Sequence, residues 1–202
     1  ALKTPAAKLR HFLRLRPAAL LSPVIGLMKG LTDPVVGLLM GQTAENLAWR
    51  FGISRRQMDE YAVQSHQRAL AARAAGHFAE IVPVVDGSGA VYPEDDGVRA
   101  DASLEGMAKL KPFFDKPYGA VTAANSSQIT DGAAWLLLAS DAAVRRWNLK
   151  TLGRIVDSHW AGLDPAQMGL GPVHASTPLL ARNGLALRDV AAWELNEAFA
   201  AQ

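Results

Sequence analysis

The stretch "KPYGAVTAANSSQITDGAAWLLLAS", Lys116 to Ser140, decides how the rest of the chain is read. Two apolar runs, Ala120 to Ala123 and Ala133 to Ala139, are candidates for extended backbone. Between them lie a polar turn, Asn125-Ser126-Ser127, and an Asp131-Gly132 pair that leads into the second run. Asn and Ser side chains bond their own backbone, so such a turn satisfies itself between two buried strands. An unbroken apolar run is what a sheet covered on both faces requires.

Downstream, strands and helices alternate. Asp141 caps a helix reaching Trp147, and Leu152 to Trp160 reads as a further strand. Pro172 opens a helix over His174 to Asn183, which Gly184 ends. Val190 to Leu195 is another apolar strand, and after Asn196-Glu197 an Ala/Phe-rich stretch reads as a helix. This alternation predicts an α/β core. Upstream, the chain is richer in helices and loops and reads as a separate subdomain. A helix is expected from Thr43 to Arg50. A second opens at Ser54 with Gln57 three residues on, a capping box. Its apolar face is Met58, Tyr61, Ala62, Ala69 and Ala72, and Gly76 is its C′ stop. Phe78 to Val84 reads as extended, "DGSG" (Asp86 to Gly89) as a turn, and Ser103 as the cap of a short helix ending before Pro112.

The 202 residues allow one or two domains. With 50% hydrophobic and 20% charged residues the chain is globular. It holds no run of 18 apolar residues, so a membrane-spanning helix is not expected, and no signal peptide is read at its start. Ala1 in place of an initiator Met suggests a processed or truncated chain. A formal charge of +2 gives no reason to expect a nucleic-acid partner. Six of the 21 basic residues but one of the 19 acidic residues fall within residues 1–40, leaving 15 and 18 for the remainder. Residues 1–32 therefore read as a basic amphipathic arm. Two uses stay open for it: a solvated helix packed on its own domain, or contact with a membrane surface or an acidic acyl carrier. The absence of cysteine removes disulfides, thiolate metal sites and cysteine nucleophiles from this chain. Its five histidines show no i,i+4 pairing, so a zinc helix is not expected.

Several motifs carry a resemblance. "VTAANSSQITDGAA" resembles the thiolase signature in which a T-A-x-N-x-S segment precedes a D-G-A-A strand. "MGLGPVHASTPLL" (Met168 to Leu180) is similar to that family's M-G-x-G-P helix entry, and "LNEAFAAQ" to its N-E-A-F motif. "MGQTAENLA" and "ISRRQMDEYAVQSHQRALAARAAGHFAEIVPV" resemble its loop domain. Within thiolases, "DGVRADASLEGMAKLKPFFDKPYGAVTAANSS" looks closest to the β-subunit of the trifunctional fatty-acid oxidation complex, whose members usually carry His where this chain has Asn196.

The resemblance implies a partial thiolase-like α/β fold: loop domain with basic arm over residues 1–128, the end of the N-terminal core half over 129–150, and the start of the C-terminal half over 151–202. It implies cleavage of 3-ketoacyl-CoA by CoA in fatty-acid β-oxidation. In the family one cysteine takes the acyl group, a second moves protons, and a G-H-P histidine assists. The chain would begin after the first and end before the others, and would be inactive alone. Asn196 would hold a water that stabilises the thioester oxyanion; read from spacing alone it is a helix cap. Ser127 and Ala123 would line the pantetheine arm with Phe114 beside it, and Arg99 would pack on the adenine, its alternative being a solvated loop arginine. Met40, Met168, Ala198 and Phe199 would surround the thioester, their alternative being core packing. Leu39 stands where short-chain thiolases often carry His, and Gly106 where some carry Ser. CoA is implied as substrate, with no cofactor and no metal. A homo-oligomer, association with a β-oxidation α-subunit, and a bacterial cytoplasm or organellar matrix are further implications. The competing reading is a non-catalytic thiolase-like acyl-CoA or lipid-binding protein.

Overall fold

The computed structural model describes residues 4–5 and 22–202. Most of the expected basic arm therefore lies outside the described residues. The first described helix, α1 (Gly26–Gly30), is exposed along its length.

Two helices build the core. α2 (Met40–Phe51) buries Gly41, Thr43, Ala44, Leu47 and Ala48, the three-and-four spacing of one helical face. It starts three residues before the expected Thr43, because the Gln42 side chain reaches back to accept from the Leu39 N–H at 2.8 Å. The Thr43 hydroxyl donates to the Met40 carbonyl at 2.7 Å, so Thr43 sits inside the first turn. At Gly41 a Cβ would enter the ring of Phe114, so only glycine admits this aromatic against the helix. α3 (Arg55–Ala74) opens on the expected capping box. Ser54 Oγ accepts from the Gln57 N–H at 3.3 Å, and Gln57 Oε1 accepts from the Ser54 N–H at 2.8 Å. Gly76 follows the helix at φ +73°, the left-handed C′ position the sequence assigned to it. The buried stripe of α3 is narrower than expected: Met58, Asp59 and Ala62 are buried, whereas Tyr61 is 42% exposed.

Ala44, Ala48, Met58, Val121 and Ala201 form the hydrophobic core, flanked by Ile53, Phe114, Ala120, Phe199 and Ala200. α2 packs on a 3-10 turn, Pro165–Leu170, where Asn46 Nδ2 donates to the Ala166 carbonyl at 3.1 Å. α3 packs on α4 (Leu104–Ala108) and on the 3-10 turn Ala123–Asn125. Ser103 caps α4, accepting from the Gly106 N–H. Between α3 and α4 a two-residue hairpin pairs β1 (Val84–Val85) antiparallel to β2 (Val91–Tyr92), Val84 opposite Tyr92. Phe78 to Glu80, expected extended, forms turns instead, with the Ile81 N–H bonded back to the Phe78 carbonyl. The Asp86-to-Gly89 turn closes the hairpin, Asp86 Oδ1 accepting from the N–H groups of Ser88 and Ala90. α5 (Asp141–Trp147) is capped by Ser140 rather than Asp141, which takes the first helical position. α6 (Gly171–Arg182) carries Pro172 in its first turn. Its end is tied to residues 157–159: Arg182 and Asn183 both donate to Asp157, whose carboxyl these bonds, Arg182 first, hold well below the usual carboxylate range.

The expected strands differ. Ala133 to Ala139, Leu152 to Trp160 and Val190 to Leu195 are neither helical nor paired with any described residue. Leu136, Leu137, Trp135 and Trp160 stand 87% to 94% exposed. A buried strand exists only where flanking strands take up its N–H and C=O groups, and among the described residues no strand flanks these runs. Ala120 to Ala123 also escapes sheet pairing, because side chains take its donors. The Ala120 and Val121 N–H groups donate to the Glu45 carboxylate, and that of Thr122 to Asn125 Oδ1. No described helix is long and apolar enough to cross a membrane.

Candidate functional site

The polar turn over residues 122–127 is held by a dense set of hydrogen bonds. Asn125 is 2% exposed and every polar atom of its side chain is bonded. Oδ1 accepts from the Thr122 N–H at 2.7 Å, and Nδ2 donates to the Ala120 carbonyl at 3.1 Å and to Asp59 Oδ1 at 2.9 Å. The other Asp59 oxygen accepts from Arg55 Nε at 2.7 Å. Arg55 in turn donates to the carbonyls of Met107 and Leu110, so one network fixes α3, the turn and α4. The Thr122 hydroxyl accepts from the Ala124 and Asn125 N–H groups, and the Ser126 hydroxyl donates to the Thr122 carbonyl. The self-satisfying turn expected from Asn and Ser is therefore what forms.

This turn makes one wall of a cavity of about 600 Å³. Of the residues singled out from the sequence, Arg99, Ala123 and Ser127 line it, as does Gly106. Ser127 is exposed, and its hydroxyl has no bond to a described side chain, so it is free to meet a ligand. Arg99 presents an exposed guanidinium, while its backbone N–H donates to His66 Nδ1 at 3.2 Å.

The remaining expected residues do not line it. Phe114 and Phe199 meet edge to face, centroids 6.0 Å apart, above Gly41 and next to Met40 in sequence. Met168 is half-buried in the 3-10 turn packed on α2. Asn196 is exposed and does not line the cavity. The helix expected after it does not form. The Ala198 carbonyl accepts from the Ser127 N–H and the Ala200 N–H donates to the Asn125 carbonyl, both at 2.9 Å, with Phe199 bridged to Ser126. Pairing with the polar turn uses the backbone groups that a helix would need. Asn196 consequently caps no helix.

Sequence reasoning missed Glu197, Tyr61, Ser65 and His66, all of which line the cavity. The Tyr61 and Ser65 hydroxyls donate to the two Glu197 oxygens. The hydrogen bond to Glu197 holds the Tyr61 phenol above its ordinary pKa, aided by burial, with Arg68 opposing. The available signal was spacing: Tyr61 and Ser65 lie one turn apart beside the buried Met58–Ala62 stripe. The cavity is thus lined by the free Ser127 hydroxyl and the Arg99 guanidinium together with the Asp101 and Glu197 carboxylates, the latter already accepting from Tyr61 and Ser65.

Two family models match the chain: "Thiolase, N-terminal domain" over residues 20–142 and "Thiolase, C-terminal domain" over 149–202. A probable acetyl-CoA acetyltransferase of Escherichia coli is 48% identical over 177 residues, 86% of this chain and 45% of that protein. Beta-ketothiolase BktB of Cupriavidus necator is 44% identical over 202 residues, 98% of this chain and 50% of its own length. Among solved structures, the Bacillus anthracis acetyl-CoA acetyltransferase superposes with TM-score 0.85 at 39% identity, covering 93% of this chain and 48% of that one. Human mitochondrial 3-ketoacyl-CoA thiolase in complex with CoA gives 0.82 at 44% identity, covering 87% and 44%. The chain spans about half the length of the curated relatives it matches.

Proposed function

The chain belongs to the thiolase family and has its fold, and from that premise we propose that it supplies the acyl-CoA cradle of an acyltransferase that cleaves 3-ketoacyl-CoA with CoA. The observation that carries the reading is the Ser127 N–H bond to the Ala198 carbonyl. It brings the T-A-x-N-x-S turn and the N-E-A-F segment together at one cavity. In this reading Ser127 and Ala123 receive the pantetheine arm and Arg99 the nucleotide, where a guanidinium stacks and carries charge. Phe114, Met40, Met168, Ala198 and Phe199 close the acyl side, and Asn196 orients a water toward the developing oxyanion. CoA is substrate and no cofactor is invoked.

Thioester exchange needs a thiolate-class nucleophile or an activated hydroxyl. The 202 residues contain no cysteine, so turnover would draw its sulfur from polypeptide beyond them. We place the activity in fatty-acid β-oxidation on the "KPYG" likeness to the β-subunit of the trifunctional complex, the division at residues 128 and 150 on the motif order, and a homo-oligomer, with a β-oxidation α-subunit as a further partner, on the same likeness. A bacterial cytoplasm or an organellar matrix is the matching compartment.

Titration calorimetry of the chain with CoA tests the reading. Ser127→Ala should weaken binding by about 1 kcal/mol, one net hydrogen bond, and Arg99→Ala should weaken it further as salt is lowered. No CoA binding by the unaltered chain, or identical affinity for all three proteins, rejects it. Rapid 3-ketoacyl-CoA cleavage by the isolated chain would reject the assignment of the nucleophile.

A further inference from the structure

We infer that Glu197 is a positioning residue, tying the Asn196-bearing segment to α3 so that Asn196 and Ser127 keep a fixed separation. The inference rests on the functional reading above, in which those two side chains meet the same substrate. Its geometry stands independently of that reading.

Tyr61 and Ser65 are four residues apart on α3, so both hydroxyls face the same direction one turn apart. The Tyr61 hydroxyl donates to Glu197 Oε1 at 2.7 Å, and the Ser65 hydroxyl donates to Oε2 at 2.5 Å. One carboxylate thus accepts two hydroxyls from a segment more than 130 positions away in sequence. Hydrogen bonds to an ionised acceptor are the stronger kind. Immediately after Glu197, the Ala198 carbonyl receives the Ser127 N–H and the Ala200 N–H reaches the Asn125 carbonyl. Residues 197–200 are therefore held at one end by the side chain of Glu197 and along their length by the polar turn. Asn196 is the next residue outward and is exposed. Without the carboxylate, the last fixed point before Asn196 moves to Ala198, and the backbone of residues 196–197 gains free torsions.

Glutamine keeps one acceptor oxygen and gains an amide donor for the second hydroxyl, whereas alanine keeps neither. The test compares the unaltered chain, E197Q, E197A and the double variant Y61F/S65A. Amide hydrogen exchange is read at Ser127 and Ala200, with the amides of α3 as internal reference. E197A and Y61F/S65A should speed exchange at Ser127 and Ala200 about tenfold, the worth of one to two such bonds, with E197Q near the unaltered chain and α3 unchanged. Equal exchange in all four proteins overturns the tether, and faster exchange throughout α3 as well shows a general loss of structure and overturns it too. Binding is read with two probes: a 3-ketoacyl thioether analogue of CoA and adenosine 3′,5′-bisphosphate. E197A should weaken the thioether analogue several-fold while leaving the nucleotide probe unchanged, and E197Q should restore it. A uniform loss for both probes overturns positioning. If the unaltered chain binds neither probe, the functional reading fails, while the exchange comparison still decides the tether.

Discussion

Asn125 shows how much one residue can decide. Its amide satisfies the Thr122 N–H and the Ala120 carbonyl and gives Asp59 a partner, all with 2% exposure. Replacing it with alanine leaves a buried donor, a half-buried acceptor and one oxygen of a buried carboxylate unmatched. Each such group costs about 1–3 kcal/mol, so Asn125→Ala should lower stability by at least about 3 kcal/mol in urea denaturation. Asn196 makes the opposite case. It is exposed and packs on nothing decisive, so Asn196→Ala should leave the urea midpoint in place. In a polypeptide that also supplies the cysteine, the proposed oxyanion role predicts a kcat lower by one to three powers of ten, about one preorganised donor. Steady-state kinetics with KM and kcat separated checks this. Asn125 was legible in the sequence because Asn and Ser between apolar runs have few other uses. The environment of Asn196 was not: a short Asn-Glu-Ala stretch reads as a capped helix until a distant turn claims its backbone.

Among the elements, the helices were legible apart from the one expected after Asn196, and the strands were not. The Ser54–Gln57 box and Gly76 bound α3 through local contacts alone, and local contacts are what a sequence displays. Strands depend on neighbours, and the three apolar runs find none among the described residues. The cavity wall on α3 was half legible. Arg99, Ala123 and Ser127 came from motif matching, but Tyr61 was assigned to the apolar face and turned out to hold Glu197. That pairing has a titration signature. The Glu197 bond raises the Tyr61 pKa, so this phenol should ionise above the ordinary tyrosine range. Ultraviolet titration of the tyrosinate band should show the Tyr61 phase moving to lower pH in Glu197→Gln. The folded value being raised, the bond stabilises fully below the ordinary tyrosine range. Its contribution is lost as pH climbs through the higher folded value.

For the molecule as a whole, the apolar runs dominate. Trp135, Leu136, Leu137, Leu138, Leu152 and Trp160 are each at least 72% exposed. Unpaired apolar backbone is a template for association. The isolated chain should therefore gain mass with concentration in light scattering, and Leu137→Glu should reduce that gain without moving the thermal unfolding of the helical core. An unchanged concentration dependence would show that the run is not the adhesive surface. The core itself is small and lies where α2, α3 and the polar turn meet. Residues 133–138 contribute no buried side chain to it, which is why the substitution should spare it.

The tryptophans carry one more consequence. All five, Trp49, Trp135, Trp147, Trp160 and Trp193, are between 51% and 94% exposed. Their indoles already emit from water, so intrinsic fluorescence would barely register melting of the core. The same emission would shift to the blue when a complementary surface shields Trp135 and Trp160, making these rings a built-in optical gauge of assembly rather than of folding.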